Sequence, residues 1–237
     1  MITSPDNEKL KLVRKLARKR ERQREALFVT EGEDLLEAGI ASGAQPRFVL
    51  TLPGSGIDGE EVQPQLLESV SALGSGTRAI AVWSENWSEP SAAPCLYLHA
   101  VRDPTNVGAI IRSVHALTEA TAVLGPGCAD PFSPKAVRAT MGSIFGRPPA
   151  RAGIDATPRP RIALVAHGGE SLNSLGEAAT LCLGAERAGL PSDVIARCDA
   201  TVTIPLRPGG AESLNVAAAA AIVCERISSP ALPGAGQ

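Results

Sequence analysis

The chain contains the segment DPTNVGAIIR at residues 103–112, and the order of its residues indicates a strand end, a loop and a helix in succession. Residues 95–99 before it form an apolar run typical of a buried strand, which Pro104 ends because proline has no backbone N–H to donate. Asn106 is a favourable N-cap, so a helix is predicted over residues 107–117. Arg112 then lies one turn beyond a loop of the kind where α/β sheets bind ligands.

Two further segments share this design, with glycine or proline where a strand meets a loop and a polar side chain beside the bend. They are LGAERAGL at residues 183–190, and IPL at residues 204–206 running into ESLNV at residues 212–216. One such segment could be an accident of loop composition. Three of them in one half of the chain predict loops that converge on a single pocket.

The polar residues of these segments have more than one interpretation. Glu186 could be a first-turn partner of a helix dipole, or it could accept hydrogen bonds from ligand hydroxyls, and both stay open. Arg112 could be a surface charge, but its place near the loop favours a ligand contact. Ser213 or Asn215 starts the last helix, whose alanine run at residues 217–221 predicts close packing against another element or another subunit.

Strands and helices alternate along the chain, which predicts an α/β protein with a parallel sheet in its second half. Strands are predicted at residues 26–30, 47–52, 78–83, 95–99, 121–124, 161–167, 180–183 and 201–206. Helices are predicted at residues 8–25, 32–38, 65–73, 107–117, 133–141 and 215–227. The polar, proline-containing stretch at residues 84–94 is predicted to be a linker. The expected domains are residues 1–90 and 91–228, followed by a disordered tail at 229–237.

The net charge of −2 conceals a basic N-terminal helix on an acidic body. Residues 1–24 contain nine Lys and Arg against three Asp and Glu, whereas the rest contains 14 against 22. Such an arm favours a polyanionic partner, with a solvated helix face as the alternative. The candidate residues for contact with a nucleic acid are Arg14, Lys15, Arg18, Lys19 and Arg22.

The composition bounds the remaining classes. Hydrophobic residues make up 44% of the chain, but no apolar run approaches a membrane span and no signal peptide is evident, so a cytoplasmic protein is expected without a membrane partner. The five cysteines and three histidines lack the spacing of a metal site, so no metal is expected. Cys95, Cys182 and Cys224 are expected to act as small hydrophobic residues.

The three motifs together resemble the SpoU/TrmH family of RNA ribose 2′-O-methyltransferases, within the SPOUT class. The resemblance runs from about residue 96 to residue 227, and it includes SPK at residues 133–135 and MGS at residues 141–143. More weakly, residues 9–32 are similar to the start of the family's RNA substrate-binding domain.

The resemblance implies a C-terminal trefoil knot, a homodimer that completes the site, and bound S-adenosylmethionine. The cofactor would contact His167, Gly184, Ile204, Leu206, Ser213 and Leu214. The catalytic group would comprise Arg112, Asn106, Glu186, Ser213 and Asn215. Family analogy places Arg112 at the ribose hydroxyl, where it would hold the adjacent phosphate and stabilise the oxyanion rather than act as a base.

The implied function is methylation of a ribose 2′-hydroxyl, with ribosomal RNA favoured as the substrate. Three alternatives remain. The chain could be a transfer RNA 2′-O-methyltransferase of the same family, or a non-catalytic RNA-binding protein on this fold. A nucleotide-dependent oxidoreductase has only the glycine pattern at residues 54–59 in its favour, and Pro64 interrupts the helix that this pattern should open.

Overall fold

A computed structural model describes residues 1–72, 76–90, 94–174 and 179–228. It contains two compact units. The first unit comprises Met1–Asn86 together with Asp130–Gly146, and the second comprises Trp87–Ala129 together with the chain from Arg147 onward. Part of the predicted linker, residues 91–93, and the predicted tail at 229–237 lie outside the described residues.

The predicted helices and strands are present with shifted ends, except that the helix predicted over residues 8–25 is two helices. In residues 1–90 they are α1 (Glu8–Leu16), α2 (Lys19–Glu25), β1 (Leu27–Glu31), α3 (Glu33–Ala41), β2 (Phe48–Thr51), β3 (Glu60–Glu61), α4 (Pro64–Glu68) and β4 (Ala79–Ser84). After these come β5 (Cys95–Leu98), α5 (Pro104–Leu117), β6 (Thr121–Leu124), α6 (Pro134–Thr140), α7 (Ser143–Gly146), β7 (Ala150–Arg151), β8 (Arg161–Leu164), β9 (Glu170–Ser171), β10 (Thr180–Leu183), α8 (Ser192–Ile195), β11 (Ala200–Thr203) and α9 (Val216–Ser228). The short elements β3, α7, β7, β9 and α8 were not predicted.

The first unit has a four-stranded sheet in the order β1-β4-β2-β3. The predicted single helix over residues 8–25 is wrong, because α1 and α2 are separated at Arg18, which has an extended backbone. Arg22 explains the break: its guanidinium donates to the carbonyl oxygens of Leu16 and Ala17 at 2.7 and 3.0 Å. These carbonyls lie at the end of α1, so the side chain satisfies groups that a continuous helix would have used.

Arg22 also corrects a functional prediction. Its side chain is only 4% exposed and forms an ion pair with Asp130, with nitrogen–oxygen distances of 2.7 and 3.0 Å. A buried and fully partnered guanidinium cannot contact a phosphate backbone. Arg22 is therefore a structural residue and not part of an RNA-binding surface.

The segment 130–146 packs with the first unit although it follows β6 in the chain. Phe132 and Phe145 join Phe28 and Trp83 in an aromatic cluster with ring centroids 4.6 to 5.7 Å apart. Such contacts stabilise the fold by burying apolar surface and by the attraction between the edge of one ring and the face of another. The domain boundary predicted near residue 90 would assign residues 130–146 to the second domain. That division into functional domains remains a prediction.

The second unit has a seven-stranded sheet in the order β7-β6-β5-β10-β8-β11-β9, and every neighbouring pair is parallel. The predicted α/β class with a parallel sheet is confirmed, whereas the knot stays a prediction. Helices α5 and α9 pack against each other. Strands β8 and β11 end at Leu164 and Thr203, three residues earlier than predicted, which leaves residues 165–167 and 204–206 in loops.

No helix in the described part of the chain is both long and apolar enough to cross a membrane.

The Arg22–Asp130 pair gives a stability prediction. Arg22→Ala leaves a buried carboxylate without its partner, so the free energy of unfolding should fall by about 3–5 kcal/mol. Urea unfolding followed by circular dichroism measures this change. Arg24→Ala is the matched control, because Arg24 is exposed and pairs with Glu21 and Glu25 at the surface, where ion pairs contribute little. Equal effects of both substitutions would show that the buried pair does not anchor residues 130–146.

Candidate active site

A pocket of about 200 Å³ lies beyond the carboxyl ends of β8, β10 and β11. Its lining comprises residues 164–166, 183–187, 189, 204, 206, 212–214, 216 and 219. Two of the three sequence motifs thus contribute to one cavity, at the edge of a parallel sheet where α/β proteins bind ligands. Apolar side chains such as Leu183 and Leu206 form much of the wall, and Glu186, Arg187 and Glu212 are its charged members.

A tight turn after β10 forms one wall of this pocket. Ala185 and Gly189 exchange two backbone hydrogen bonds of 2.9 and 3.1 Å. Gly189 has φ +64°, a conformation that favours glycine, and a Cβ atom on Gly184 would lie 2.1 Å from the Gly189 carbonyl carbon. Only glycine fits at position 184, so the wall there is bare backbone.

The first motif joins the other two through the amide of Asn106. Its Nδ2 donates to Glu186 Oε1 at 2.7 Å, and its Oδ1 accepts from Asn215 Nδ2 at 3.2 Å. Asn215 Oδ1 in turn accepts from the backbone N–H of Ala217 at 2.8 Å and caps α9. One chain of side-chain hydrogen bonds therefore connects all three motifs at the pocket.

The predicted N-cap role of Asn106 is wrong. Helix α5 begins at Pro104, and Asp103 is its N-cap, with the side chain accepting from the backbone N–H of Thr105 at 2.8 Å. Asn106 lies in the first turn instead, and this leaves its amide available for Glu186 and Asn215. Glu186 likewise starts no helix, because residues 185–189 form a turn and α8 begins at Ser192. The helix-dipole interpretation of Glu186 therefore fails.

Two predicted residues lie outside the pocket lining. Arg112 is exposed on α5, and within the described residues it has no ion pair or side-chain hydrogen bond. His167 is exposed, while its neighbour Ala166 lines the pocket. The other predicted cofactor residues, Gly184, Ile204, Leu206, Ser213 and Leu214, all line the pocket.

Sequence reasoning missed the contribution of Leu164, Val165 and Ala166. Because these residues are apolar, the predicted strand ran to residue 167 and included the loop that follows β8. The signal available in the sequence was the predicted parallel sheet, because parallel strands end at one edge and the residues after each strand are candidates for the pocket lining. For metals, the described residues contain no cluster of three or more His, Cys, Asp or Glu side chains that could hold an ion.

Comparison with known proteins gives the family. The model of the SpoU rRNA Methylase family matches residues 93–225, which include all three motifs. The chain belongs to the SpoU rRNA methylase family. A second model, the MRM3-like substrate binding domain, matches residues 7–86 of this family member.

Similar proteins include one relative that the chain covers almost entirely and another that it covers only in part. A Bacillus subtilis protein named 23S rRNA (guanosine(2553)-2′-O)-methyltransferase RlmP is 31% identical over 94% of this chain and 96% of its own. An uncharacterized tRNA/rRNA methyltransferase of Mycobacterium tuberculosis is 32% identical over 65% of this chain, which spans only 53% of that relative. The crystal structure of an AdoMet-bound rRNA methyltransferase from Sinorhizobium meliloti is similar with a TM-score of 0.83 and 26% identity, over 95% of both chains.

The turn after β10 can be tested by stability. In Gly184→Ala the added methyl overlaps the Gly189 backbone, so the protein should lose about 1–3 kcal/mol, as overpacked positions do. Thermal unfolding monitored by fluorescence measures the loss. Gly153→Ala is the control, because a Cβ atom there meets nothing within 4 Å. A Gly184→Ala protein as stable as the Gly153→Ala protein would contradict the close approach.

Proposed function

We propose that this protein transfers a methyl group from S-adenosylmethionine to a ribose 2′-hydroxyl of ribosomal RNA. The observation that carries the proposal is the hydrogen-bonded union of the three motifs at one pocket through Asn106. Membership of the SpoU family supports the reaction class. The near full-length similarity to a protein named as a 23S rRNA 2′-O-methyltransferase supports ribosomal RNA as the substrate.

The pocket fits the chemistry of S-adenosylmethionine. Its bare backbone at Gly184 lets a ligand approach the N–H and C=O groups closely, which suits the polar edge of an adenine ring. Leu183, Leu206 and Leu214 offer apolar surface for the ring faces, and the Glu186 carboxylate can accept hydrogen bonds from ribose hydroxyls. When bound, the cofactor supplies an electrophilic methyl group on its sulfonium.

The residues of the chain must make the substrate hydroxyl reactive. A neutral hydroxyl is a poor nucleophile, so a group must accept its proton or stabilise the developing negative charge. Arg112 fits the second role, because a guanidinium stays protonated and can hold a phosphate and an oxyanion together. Asn106 connects Glu186 and Asn215 by hydrogen bonds beside the pocket, and Ser213, which lines the pocket, completes the proposed catalytic group.

The proposal includes a homodimer. Ile222 on α9 is 40% exposed, and Ala218, one turn before it, is also exposed, so the two form a small apolar stripe at four-residue spacing. Burying this stripe against a second copy of α9 and the neighbouring α5 would remove it from water. Because Arg112 lies on α5 outside its own pocket lining, the proposal brings it toward the pocket of the partner protomer.

The RNA-binding surface proposed for the first unit is smaller than the sequence predicted. Lys15, Arg18 and Lys19 are exposed. Arg14 is also exposed, although its guanidinium donates to the Pro5 carbonyl at 2.9 Å and to Ser69 at 3.3 Å. Arg22 is excluded because it is buried. Because ribosomal RNA is the proposed substrate, the proposal also places the reaction in the cytoplasm.

Ribose-methyl mapping by mass spectrometry tests the function. Ribosomal and transfer RNA are isolated from cells with and without this protein, and purified protein is then added to the unmodified RNA. The loss and restoration of one ribosomal 2′-O-methyl group supports the proposal. A change confined to transfer RNA supports the alternative substrate, which the name of the mycobacterial relative keeps open. No change in any ribose methyl would refute catalysis.

Arg112→Ala should lower the rate of methyl transfer by at least about 100-fold, because it removes a charge that stabilises the reacting oxygen. Binding of S-adenosylhomocysteine should stay unchanged, because Arg112 does not line the pocket of its own protomer and is proposed to contact the RNA phosphate and hydroxyl rather than the cofactor. Tritiated methyl transfer and isothermal titration calorimetry measure the two quantities. Arg112→Lys should retain part of the rate, since it keeps the charge but not the planar fork. Equal loss of rate and cofactor affinity in Arg112→Ala would contradict this role.

Replacing Lys15, Arg18 and Lys19 together with Gln should weaken RNA binding and flatten its salt dependence. Each lost phosphate contact lowers the slope of log affinity against log salt by about 0.7–0.9. Filter binding over a salt series measures the slope. Lys9, Lys11 and Arg24 changed together to Gln form the control, because these cations already pair with carboxylates of the chain. The same slope in both triple variants would show that the predicted arm is only a solvated face.

A further inference from the structure

Two thiols lie side by side beneath the pocket. Cys182 is buried in β10, and Cys198 is half-buried in the segment after α8. Their sulfur atoms are 3.9 Å apart, although the residues come from different elements. Cys198 Sγ is also 3.5 Å from the Val194 carbonyl oxygen. The proposed methyl transfer uses neither thiol, so the pair calls for its own explanation.

The surroundings give the two thiols different reactivity. The hydrogen bond with Cys182 lowers the pKa of the Cys198 thiol, and the guanidinium of Arg161 lowers it further against the opposing effects of burial and Asp199. The hydrogen bond with Cys198 and burial together raise the pKa of the Cys182 thiol. Of the two thiols, Cys198 is therefore the one that ionises more readily, and it is also the more exposed one. A thiolate is the reactive form of cysteine.

We propose that Cys182 and Cys198 are a redox-sensitive pair, which hydrogen peroxide converts into a disulfide that alters the pocket. The Cys198 thiolate attacks one oxygen of the peroxide, the O–O bond breaks, and the departing hydroxide takes up a proton to form water. The product is a sulfenic acid on Cys198. The Cys182 sulfur then attacks the Cys198 sulfur, the S–O bond breaks, and the Cys182 proton leaves with the hydroxyl as a second water. Two thiols are oxidised, and one peroxide is reduced to two waters.

The disulfide would affect the pocket through β10. A disulfide requires the sulfur atoms to be about 2.0 Å apart, so the pair must close much of its present 3.9 Å separation. Cys182 is followed directly by Leu183 and Gly184, which line the pocket. Gly184 has no space to yield toward Gly189, so a displacement of β10 is transmitted to the turn that forms the wall. The effect on cofactor binding rests on the proposed function, whereas the formation of the disulfide does not.

Peptide mapping of the full-length protein tests the pair. Protein treated with hydrogen peroxide is digested without reductant and analysed by tandem mass spectrometry, with dithiothreitol-treated protein as the reference. A Cys182–Cys198 cross-link is expected in the wild type and in Cys128→Ser, and it should be absent in Cys198→Ser. Cys128 is the matched control because it is also half-buried. Its Sγ donates a hydrogen bond to the Leu98 carbonyl oxygen and not to another thiol. Absence of this cross-link from the peroxide-treated wild type and Cys128→Ser, or cross-links of Cys182 and Cys198 to other cysteines in its place, would overturn the proposal.

Calorimetric titration with S-adenosylhomocysteine then tests the consequence. Peroxide should weaken binding by about tenfold or more in the wild type and in Cys128→Ser, which corresponds to about 1.4 kcal/mol, and dithiothreitol should restore it. Binding to Cys198→Ser should not respond to peroxide. A cross-linked protein that binds as tightly as the reduced one would overturn the effect on the pocket. Failure of the reduced protein to bind at all would count against the proposed cofactor, and the peptide map would still decide the cross-link.

Discussion

The amide of Asn106 is the contact on which the candidate site depends. Its nitrogen binds Glu186 and its oxygen binds Asn215, so both halves of one side chain are committed to different loops. An amide suits this position because it donates to a carboxylate on one side and accepts from a second amide on the other. Asn215 also caps α9, which links the position of that helix to the loop after β10. The site therefore depends on the first turn of α5 holding the turn after β10 and the start of α9 in fixed positions.

The architecture separates the chemistry from the proposed RNA contact. The parallel sheet of the second unit places backbone and apolar side chains around the pocket, while exposed cations lie on α1 and at the start of α2 in the first unit. A long substrate can be held by phosphate contacts that carry no sequence information, and the reacting ribose is then selected elsewhere. The residues 130–146 show that the units are not simply consecutive in the chain, since they pack with the first unit and are preceded and followed by the second.

The sequence alone predicted the strands that are short, apolar and bounded by proline or glycine, such as β6 and β10, because their burial is a local property. It failed where the outcome depends on distant partners. Arg22 has the same local pattern as Arg18, and only its contact with Asp130, 108 positions away, makes it a buried residue. Asp103 and Asn106 are both good N-caps, and the position of Pro104 at the first turn decides between them. The loops at residues 165–167 and 204–206 are apolar enough to read as strand.

The aromatic cluster of Phe28, Trp83, Phe132 and Phe145 has a consequence for folding during synthesis. Synthesis proceeds from the N-terminus, so Phe28 and Trp83 emerge well before the two phenylalanines that complete their packing. Until β5, α5, β6 and the two phenylalanines have been translated, the N-terminal region keeps part of its aromatic surface exposed to water. A fragment that ends at residue 86 would lack Phe132 and Phe145, so its aromatic surface would stay exposed and it would be prone to aggregate.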